Sequence, residues 1–449
     1  MPGLIGLEIH AYLSTHEKLF CRCLASRERG LKENSHVCPI CTGQPGAKPM
    51  APNTEALKRA VQIGLMLGCT INSPLLWMRK HYDWPDLPKG YQTTMSGAHA
   101  TPLGSNGVFE GITISSMHLE EDPASWDPKT GCVDYNRSGL PLVEIVTAPE
   151  FHFAEEVVQW LHKLVHALAY LKVVDSNAGI KVDVNVNIPG KTQRVEVKNI
   201  TSIEAIGNAI IYELDRQEHE GSVRETRRYD ESKGKTMSMR TKEQEADYRF
   251  MPDPDLLTVT IERSFVESLR SALPELPGVK LEKLVKKYHL DQKTASVLAQ
   301  HIEIVSFFEA VAQKVDGTFA APWVTVELLR VLNWNKTTLD KVHISPEHFA
   351  TLLSLVKSKK ITELQAKALL NRFVPKSFDP SNSEGKLEKT SELKGIIQKI
   401  IAENAKAVED YKTGDAKALN FLLGQVMKAT ERRADYAVAK SLLESLLGD

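Results

Sequence analysis

Two cysteine pairs, Cys21-x-Cys23 and Cys38-x-x-Cys41, stand within the first forty-one residues, with fourteen residues between them. This spacing suits one tetrahedral zinc ion clamped by two loops. Four thiolates fill the coordination sphere and leave no position for substrate, so a zinc ion held by Cys21, Cys23, Cys38 and Cys41 would be structural and brace something else. Immediately before the first pair lies Ile5-Gly-Leu-Glu-Ile-His10, which reads as a strand. Its period of two puts Glu8 and His10 on one face, an unusual pair for so apolar a segment. Cys69 and Cys132 remain as ordinary thiols.

The chain of 449 residues is long enough for about three domains. Its 42% hydrophobic and 25% charged residues are those of a globular protein, which excludes a disordered or membrane-embedded chain. A net charge of −1 supplies no global field for nucleic acid, so RNA binding would need local patches. No run approaches the apolar length of a membrane span, no membrane partner is expected, and the N-terminus shows no signal-peptide pattern. Together with metal-type rather than disulfide-type cysteine usage, this predicts a cytoplasmic protein.

An α+β organisation follows from the hydrophobic periods. Residues 1–260 alternate strand-like and helical pieces. One helix begins at the N-cap Asn53, carries Leu57, Ala60, Val61, Gly64 and Leu65 on one stripe, and stops at Gly68. A second spans roughly 153–172, with Val157, Trp160, Leu161, Leu164, Val165, Leu168 and Leu171 at helical spacing. After Met251-Pro-Asp-Pro-Asp-Leu256 the strand signals nearly vanish, and residues 261–375 read as amphipathic helices. Residues 376–387 read as a Pro/Ser/Asn/Lys linker, and 388–449 as a small all-helical tail with Ile396, Ile397, Ile400 and Ile401 on one stripe and Leu419, Leu422, Leu423 and Val426 on another.

Candidate chemistry lies on the polar faces of the N-terminal strands. In Lys181–Ile188 the valines oppose Asp183, Asn185 and Asn187; after a Pro189-Gly190 turn, Arg194, Glu196 and Lys198 oppose Val195 and Val197. These two strands read as a hairpin whose carboxylate-rich face is either solvated surface or a site. Glu144 is embedded among Leu142, Val143, Ile145 and Val146, where a carboxylate is costly unless paired or bound to a cation. The segment Ile112–Asp122 ends in three consecutive acids after His118. Acids and a histidine from separate strands can converge on a hard cation such as Mg²⁺, which bridges phosphates, and Lys80, Lys89 and Lys198 could then meet phosphate charge. Arg79–Gln92 gathers aromatics, prolines, acids and bases in a manner typical of site-lining loops. No phosphate-binding P-loop, dinucleotide-binding glycine fingerprint or Gly-x-Ser-x-Gly elbow is present, so ATP chemistry would need another architecture.

The ordered set of segments resembles the B subunit family of the aspartyl/glutamyl-tRNA(Asn/Gln) amidotransferases. It comprises Ile5–His10, the cysteine pairs, Arg79–Gln92, His118-Leu-Glu-Glu-Asp122, Val133–Val146, Asp183-x-Asn185, Val195–Ser202, Glu225-Thr-Arg-Arg228, Asp247-Tyr-Arg-Phe250, Ala407–Lys412 and Gly424–Lys428. The resemblance implies a cradle-like N-terminal mixed sheet domain with a zinc-braced loop, a helical middle domain and a helical tRNA-binding tail. It implies an ATP-dependent enzyme that phosphorylates the carboxylate of mischarged Glu-tRNA(Gln) or Asp-tRNA(Asn) and converts it to the amide. The ammonia is channelled from a glutaminase A subunit, in a complex with a small C subunit or its equivalent. On this reading Glu8, His10, Glu120, Glu121, Glu144, Asp183 and Glu196 are catalytic candidates, and His10, Glu121 and Glu144 would hold magnesium. Asn185 and Lys198 would bind cofactor; Lys80, Tyr82 and Lys89 would line the channel or pocket. Lys412, Lys428, Arg432 and Arg433 form a candidate tRNA patch on the tail. The chain departs from the family's usual runs at Lys181-Val-Asp-Val-Asn185 and at Asp83-Trp84. Two alternatives remain open at this point: a tRNA-docking scaffold with an inactive kinase-like site, and a sister subunit type carrying a large domain inserted before the tail.

Overall fold

The computed structural model describes residues 2–28, 30–97, 99–175, 179–241, 248–382 and 390–448. Asp247 of the motif quoted above and residues 383–387 of the expected linker lie outside these. The chain forms two compact units, Met1–Glu275 and Leu276–Asp449.

In the first unit, β1 (Leu4–Tyr12) leads through the cysteine loops to α1 (Thr54–Met66). The chain then forms β2 (Thr70–Ile71), β3 (Met78–Lys80), β4 (Gln92–Thr94), β5 (Gly104–Phe109), β6 (Ile112–Glu121), β7 (Ser125–Trp126), β8 (Val133–Asp134) and β9 (Pro141–Thr147). It continues with α2 (Ala154–Leu171), β10 (Ile180–Asn187), β11 (Val195–Ile200), α3 (Ile203–Glu220), β12 (Glu225–Asp230), β13 (Lys235–Thr241), β14 (Met251–Pro252) and α4 (Arg263–Ala272). One twelve-stranded sheet runs β13-β12-β11-β10-β1-β9-β6-β4-β3-β14, with β5 attached to β6 and β2 to β5; β7 and β8 form a separate pair.

Alternation decides the two faces of this sheet. Leu7, Ile9 and Ala11 of β1, Val143 and Ile145 of β9, Val182, Val184 and Val186 of β10, and Val195 and Val197 of β11 are buried on one side. Helices α1, α2 and α3 supply the complementary stripes, including Val61, Ile63, Val157, Leu161, Leu164, Ile206 and Ile210. Trp160 anchors α2: its ring packs edge-on against Phe109 and Phe151, and its indole N–H donates to the Phe109 carbonyl at 2.9 Å. The Asn53 side chain accepts from the amides of Glu55 and Ala56, capping α1. Gly68 ends the turn after α1 with φ +71°, where a Cβ would also come within 3.0 Å of the Val108 carbonyl oxygen. The hairpin of β10 and β11 forms as its alternation predicts, with one register irregularity between Val182 and Val184.

The first unit extends past residue 260 to include α4. That amphipathic helix buries Leu269 and contacts α1, so its burial partner lies in the sheet unit.

The second unit contains α5 (Pro277–Tyr288), α6 (Gln292–Leu298), α7 (Ile302–Ala312), α8 (Gly317–Pro322), a π-helical turn over Trp323–Leu328, α9 (Leu329–Trp334), α10 (Pro346–Lys357), α11 (Glu363–Asn371), α12 (Thr390–Glu403), α13 (Ala405–Lys412), α14 (Ala416–Ala429) and α15 (Tyr436–Gly448). Phe307, Phe308 and Phe349 are buried in its first part. Residues from Leu393 onward build a separate core from Ile397, Ile400, Leu422, Leu423, Val426 and Leu443. Among the described residues no single helix is long and apolar enough to cross a membrane. The apolar pair α6 and α7 bends by 113° and buries Leu298, Ile304, Val305, Phe308 and Val311, as core helices do.

Candidate active site

The polar face of β1 presents Glu8, His10 and Tyr12 in succession, and each meets a different group of side chains. At the centre, His10 pairs across the sheet with Glu144 of β9, and β9 in turn sets Glu144 beside His118 of β6. Two residues along β6 and on the same face stands Glu120, opposite Thr94 of β4. The His10 Nε2 lies 3.3 Å from a Glu144 oxygen and 3.9 Å from a Glu120 oxygen. The other Glu120 oxygen accepts from the Thr94 hydroxyl at 3.0 Å. One donor atom from each of His10, Glu120 and Glu144 falls within 4.8 Å of the others.

Burial and mutual charge shift all three groups. Burial opposes charge on the His10 ring, but the hydrogen bond and charge of Glu144, with Glu120 and Asp183 nearby, push it up to about 9. Burial also opposes charge on Glu144, yet the hydrogen bond and charge of His10 hold this carboxyl below its ordinary range. Glu120 takes the remaining cost: burial, then the Glu144 charge, raise it to about 7.

A second group adjoins the first. Glu8 pairs in register with Asp183 of β10, and Asn185 pairs with Glu196 of β11. Glu8, Asp183 and Glu196 bring one oxygen each within 4.8 Å of one another. The Asn185 amide donates to Glu8 at 2.9 Å, the Thr226 hydroxyl to Glu196 at 3.1 Å, and the Lys198 ammonium to Asp183 at 3.1 Å while standing 3.5 Å from Glu196. Burial raises Glu8, reinforced by Glu144, Glu196 and Asp183. Burial disfavours the Lys198 charge, but Asp183 and Glu196 outweigh it and raise the ammonium.

The structure corrects one grouping. The sequence reading joins Glu121 to His10 and Glu144 as a magnesium ligand. Adjacent strand residues face opposite ways, and it is Glu120 that shares their face. Glu121 instead accepts from the Thr93 amide at 3.0 Å and pairs with the Lys89 ammonium. Lys89 also donates to the Thr93 hydroxyl and lies over the Tyr91 ring, so it is fixed away from the His10 group. Lys80 sits 4.8 Å from the Tyr248 ring centroid, and its charge acts on both Glu120 and Glu144. Tyr82 packs edge-on against Tyr248; burial raises its phenol, and Asp86, Glu120 and Asp122 add to this.

The third group on β1 escapes the sequence reading. Tyr12 is surrounded by Arg27, Asp122, Arg137 and Lys181. Lys181 carries a usable signal, since it alternates in phase with Asp183 and Asn185; Arg27 lies in a loop that gives no periodic signal.

The four loop cysteines converge as their spacing predicts. The Cys41 sulfur lies 4.0 Å from that of Cys23 and 3.9 Å from that of Cys38, and all four sulfurs fall within 4.8 Å. Tetrahedral zinc–thiolate bonds of ~2.3 Å require sulfur separations of roughly 3.8 Å, so the cage fits a metal ion. A hydrogen bond from Cys21 lowers Cys41 to about 5 against the cost of burial, while that same bond raises Cys21 and burial raises Cys23. The cage holds other loops. The Ser138 hydroxyl donates to the Cys41 carbonyl, Asn136 accepts from the His36 amide, and Asp134 accepts from the Asn34 amide. A Cβ on Gly43 would strike the Pro88 carbonyl at 2.2 Å, so the second cysteine loop lies directly against Pro88 and Lys89.

Residues 3–267 match the family described as the GatB/GatE catalytic domain, and residues 306–447 match the GatB domain. Both units therefore belong to the class of amidotransferase subunits. The chain is similar to the B subunit of the aspartyl/glutamyl-tRNA(Asn/Gln) amidotransferase of Methanopyrus kandleri, 40% identical with 99% of this chain and 98% of that protein covered. It is 41% identical to the same subunit of Methanothermobacter thermautotrophicus, with 96% and 97% covered, and 39% identical to that of Methanosphaera stadtmanae, with 99% of each covered. The chain belongs to the B subunit family of the aspartyl/glutamyl-tRNA(Asn/Gln) amidotransferases, enzymes of the ligase class. Near end-to-end coverage leaves no room for the inserted domain of the sister subunit type.

Proposed function

We propose that this chain carries the ATP-dependent half of a tRNA-dependent amidation, on the polar face of the sheet around β1. The observation that carries the reading is the convergence of His10, Glu120 and Glu144 from three strands beside Glu8, Asp183 and Glu196. Mischarged Glu-tRNA(Gln) or Asp-tRNA(Asn) is the substrate, and the chain works with a glutaminase A subunit and a small third subunit in the cytoplasm.

The reaction has two parts. A carboxylate oxygen of the aminoacyl group attacks the γ-phosphorus of ATP, and the bond to the ADP oxygen breaks. Ammonia then attacks the acyl carbon, phosphate leaves with the C–O electrons, and the nitrogen sheds a proton. Two anions must meet in the first part, so positive charge near the transferred phosphoryl group is the main requirement. His10, Glu120 and Glu144 would hold one Mg²⁺, and Glu8, Asp183 and Glu196 fit a hard cation by their all-oxygen chemistry. A bound Mg²⁺ offsets charge on the phosphoryl oxygens. Asn185 orients Glu8, Lys198 adds positive charge beside the second group, and Thr94 fixes the Glu120 carboxylate. Lys80 and Tyr82 would line the path by which ammonia arrives, and Lys89, held by Glu121, would line it farther from the His10 group. Cys21, Cys23, Cys38 and Cys41 would hold a zinc ion that keeps the loops in register. The tail patch of Lys412, Lys428, Arg432 and Arg433 would contact tRNA phosphates.

Assembly with a glutaminase subunit and the small third subunit, given ATP, Mg²⁺ and glutamine, should form amide on one or both mischarged tRNAs. No amide on either would sink the reading.

Metal binding here also predicts a pH dependence. In the metal-free group Glu120 is protonated below about 7 and His10 below about 9. Both raised values mean that a cation must displace protons. Magnesium affinity should therefore climb as pH rises from 6 to 9, most steeply below 7 where two protons leave, and level off above 9. A calorimetric titration across that range checks this; affinity that is flat or falls with pH contradicts the ligand set.

A further inference from the structure

Beyond the two acidic groups, β1 ends in a concentration of positive charge to which no role has been attached. Arg27 lies flat on the Tyr12 ring, 3.8 Å from its centroid. Lys181, the register partner of His10, donates to the Tyr12 hydroxyl at 3.0 Å. Arg137 stands 3.2 Å from Asp122, which also accepts from Tyr12 at 2.7 Å and lies 3.9 Å from Arg27. Arg27 and Arg137 thus share the Asp122 carboxylate, and Lys181 lies near both Asp122 and Asp183. Asp86, the next acid, carries a carboxyl raised by burial and leaves one enclosed oxygen without a hydrogen-bond partner. Arg137 uses two donors on the carbonyls of Pro123 and Ala124. The enclosed Nη1 of Arg27 makes no hydrogen bond and stands 3.9 Å from Asp122.

Such a group calls for an anion from outside, and it is open to one. The Arg27 and Arg137 side chains are 25% and 28% exposed, enough for a ligand to reach them. Guanidinium groups favour tetrahedral oxyanions, which accept several N–H donors at once. Position on the strand restricts the choice further. Tyr12 is two residues from His10 on the same face, so an anion at this end would lie about 7 Å along β1 from the proposed metal group. That is within the span of one phosphorylated substrate.

We propose that Arg27, Arg137 and Lys181 form a phosphate seat at the end of β1, next to the His10 metal group. The proposal rests on the functional reading above for the identity of the ligand. A phosphate could arrive there as part of the ATP polyphosphate or as a phosphodiester of the tRNA acceptor end. Tyr12 serves as the platform that holds Arg27 and Lys181 toward the same point.

Equilibrium binding to the assembled complex tests the seat, with Mg·ATP in one arm and deacylated tRNA in the other. Arg27→Gln and Lys181→Met should each weaken binding of one of the two ligands by about tenfold or more and leave the other unchanged, and Arg27→Lys should recover part of the loss. A loss confined to Mg·ATP assigns the polyphosphate; a loss confined to tRNA assigns the acceptor-end phosphodiester. Unchanged binding in both arms overturns the seat. Thermal unfolding identifies a variant that fails to fold, and the remaining variant then decides. Amide formation by the unaltered complex is scored separately, so its absence condemns the proposed function while the binding arms still judge the seat.

Discussion

Glu120→Gln should lower ATP-dependent amide formation by about 10³-fold or more, whereas Glu121→Gln should cost about tenfold or less. The two residues are adjacent in sequence, equal in chemistry and both buried, so the contrast isolates geometry. Glu120 faces His10 and Glu144, and its loss as an anion removes a ligand and a charge from the group that must hold the cation. Gln at 120 can still accept from Thr94, which separates loss of charge from loss of fold. Glu121 points to the other side, where Gln keeps the bond from the Thr93 amide but leaves Lys89 without its counter-charge. The cost of Glu121→Gln should appear mainly as stability, about 1–3 kcal/mol. Single-turnover amidation with a magnesium titration distinguishes the two, and the glutaminase rate of the partner should be unchanged by either. Equal damage from both substitutions, or greater damage from Glu121→Gln, would contradict the placement of the catalytic group.

This contrast also marks where the sequence is legible and where it is not. Period-two reading places Glu8 with His10, Asp183 with Asn185, and Glu196 with Lys198, because each pair lies within one strand and alternation is a local rule. It cannot say which of three consecutive acids at the end of β6 faces inward: that depends on the register of β6 against β9 and β4, which is set by long-range pairing. The helices at Asn53 and Ala154 are legible from their stripes and, at Asn53, its cap. The end of the first unit is not, because an amphipathic helix such as α4 shows that it has a partner but not which one. Among the charged residues, Glu144 stands out because an acid inside an apolar run is conspicuous. Arg27 does not, because nothing in a loop sequence announces that it will stack on a tyrosine at a strand end.

Removing the metal from the cysteine cage should be felt far from the cysteines. Cys38→Ser with Cys41→Ser should abolish zinc, detectable by elemental analysis as the loss of one ion per chain. It should also lower the Tm of the sheet unit and open the 21–41 segment to proteases. Zinc binding in small metal domains is worth ~10 kcal/mol or more because nothing else folds them. Here the cage sits on a sheet with its own apolar core, so the global loss should be smaller, on the order of a few kcal/mol. The functional loss should exceed what stability alone would cause, for a reason visible in the loops. The second cysteine loop does both: it holds Ser138 and Asn136, and so positions the turn that carries Arg137, and it lies against Pro88 and positions Lys89. With the cage open, the turn of Arg137 and the segment of Lys89 both lose their support, although no cysteine touches a reactant. The expected result is a variant that remains folded at low temperature, forms amide at least tenfold more slowly, and shows its defect in the affinity for phosphorylated substrate rather than in magnesium binding. A zinc-free variant with unaltered amide formation and unaltered protease resistance would show that the cage braces nothing the reaction needs.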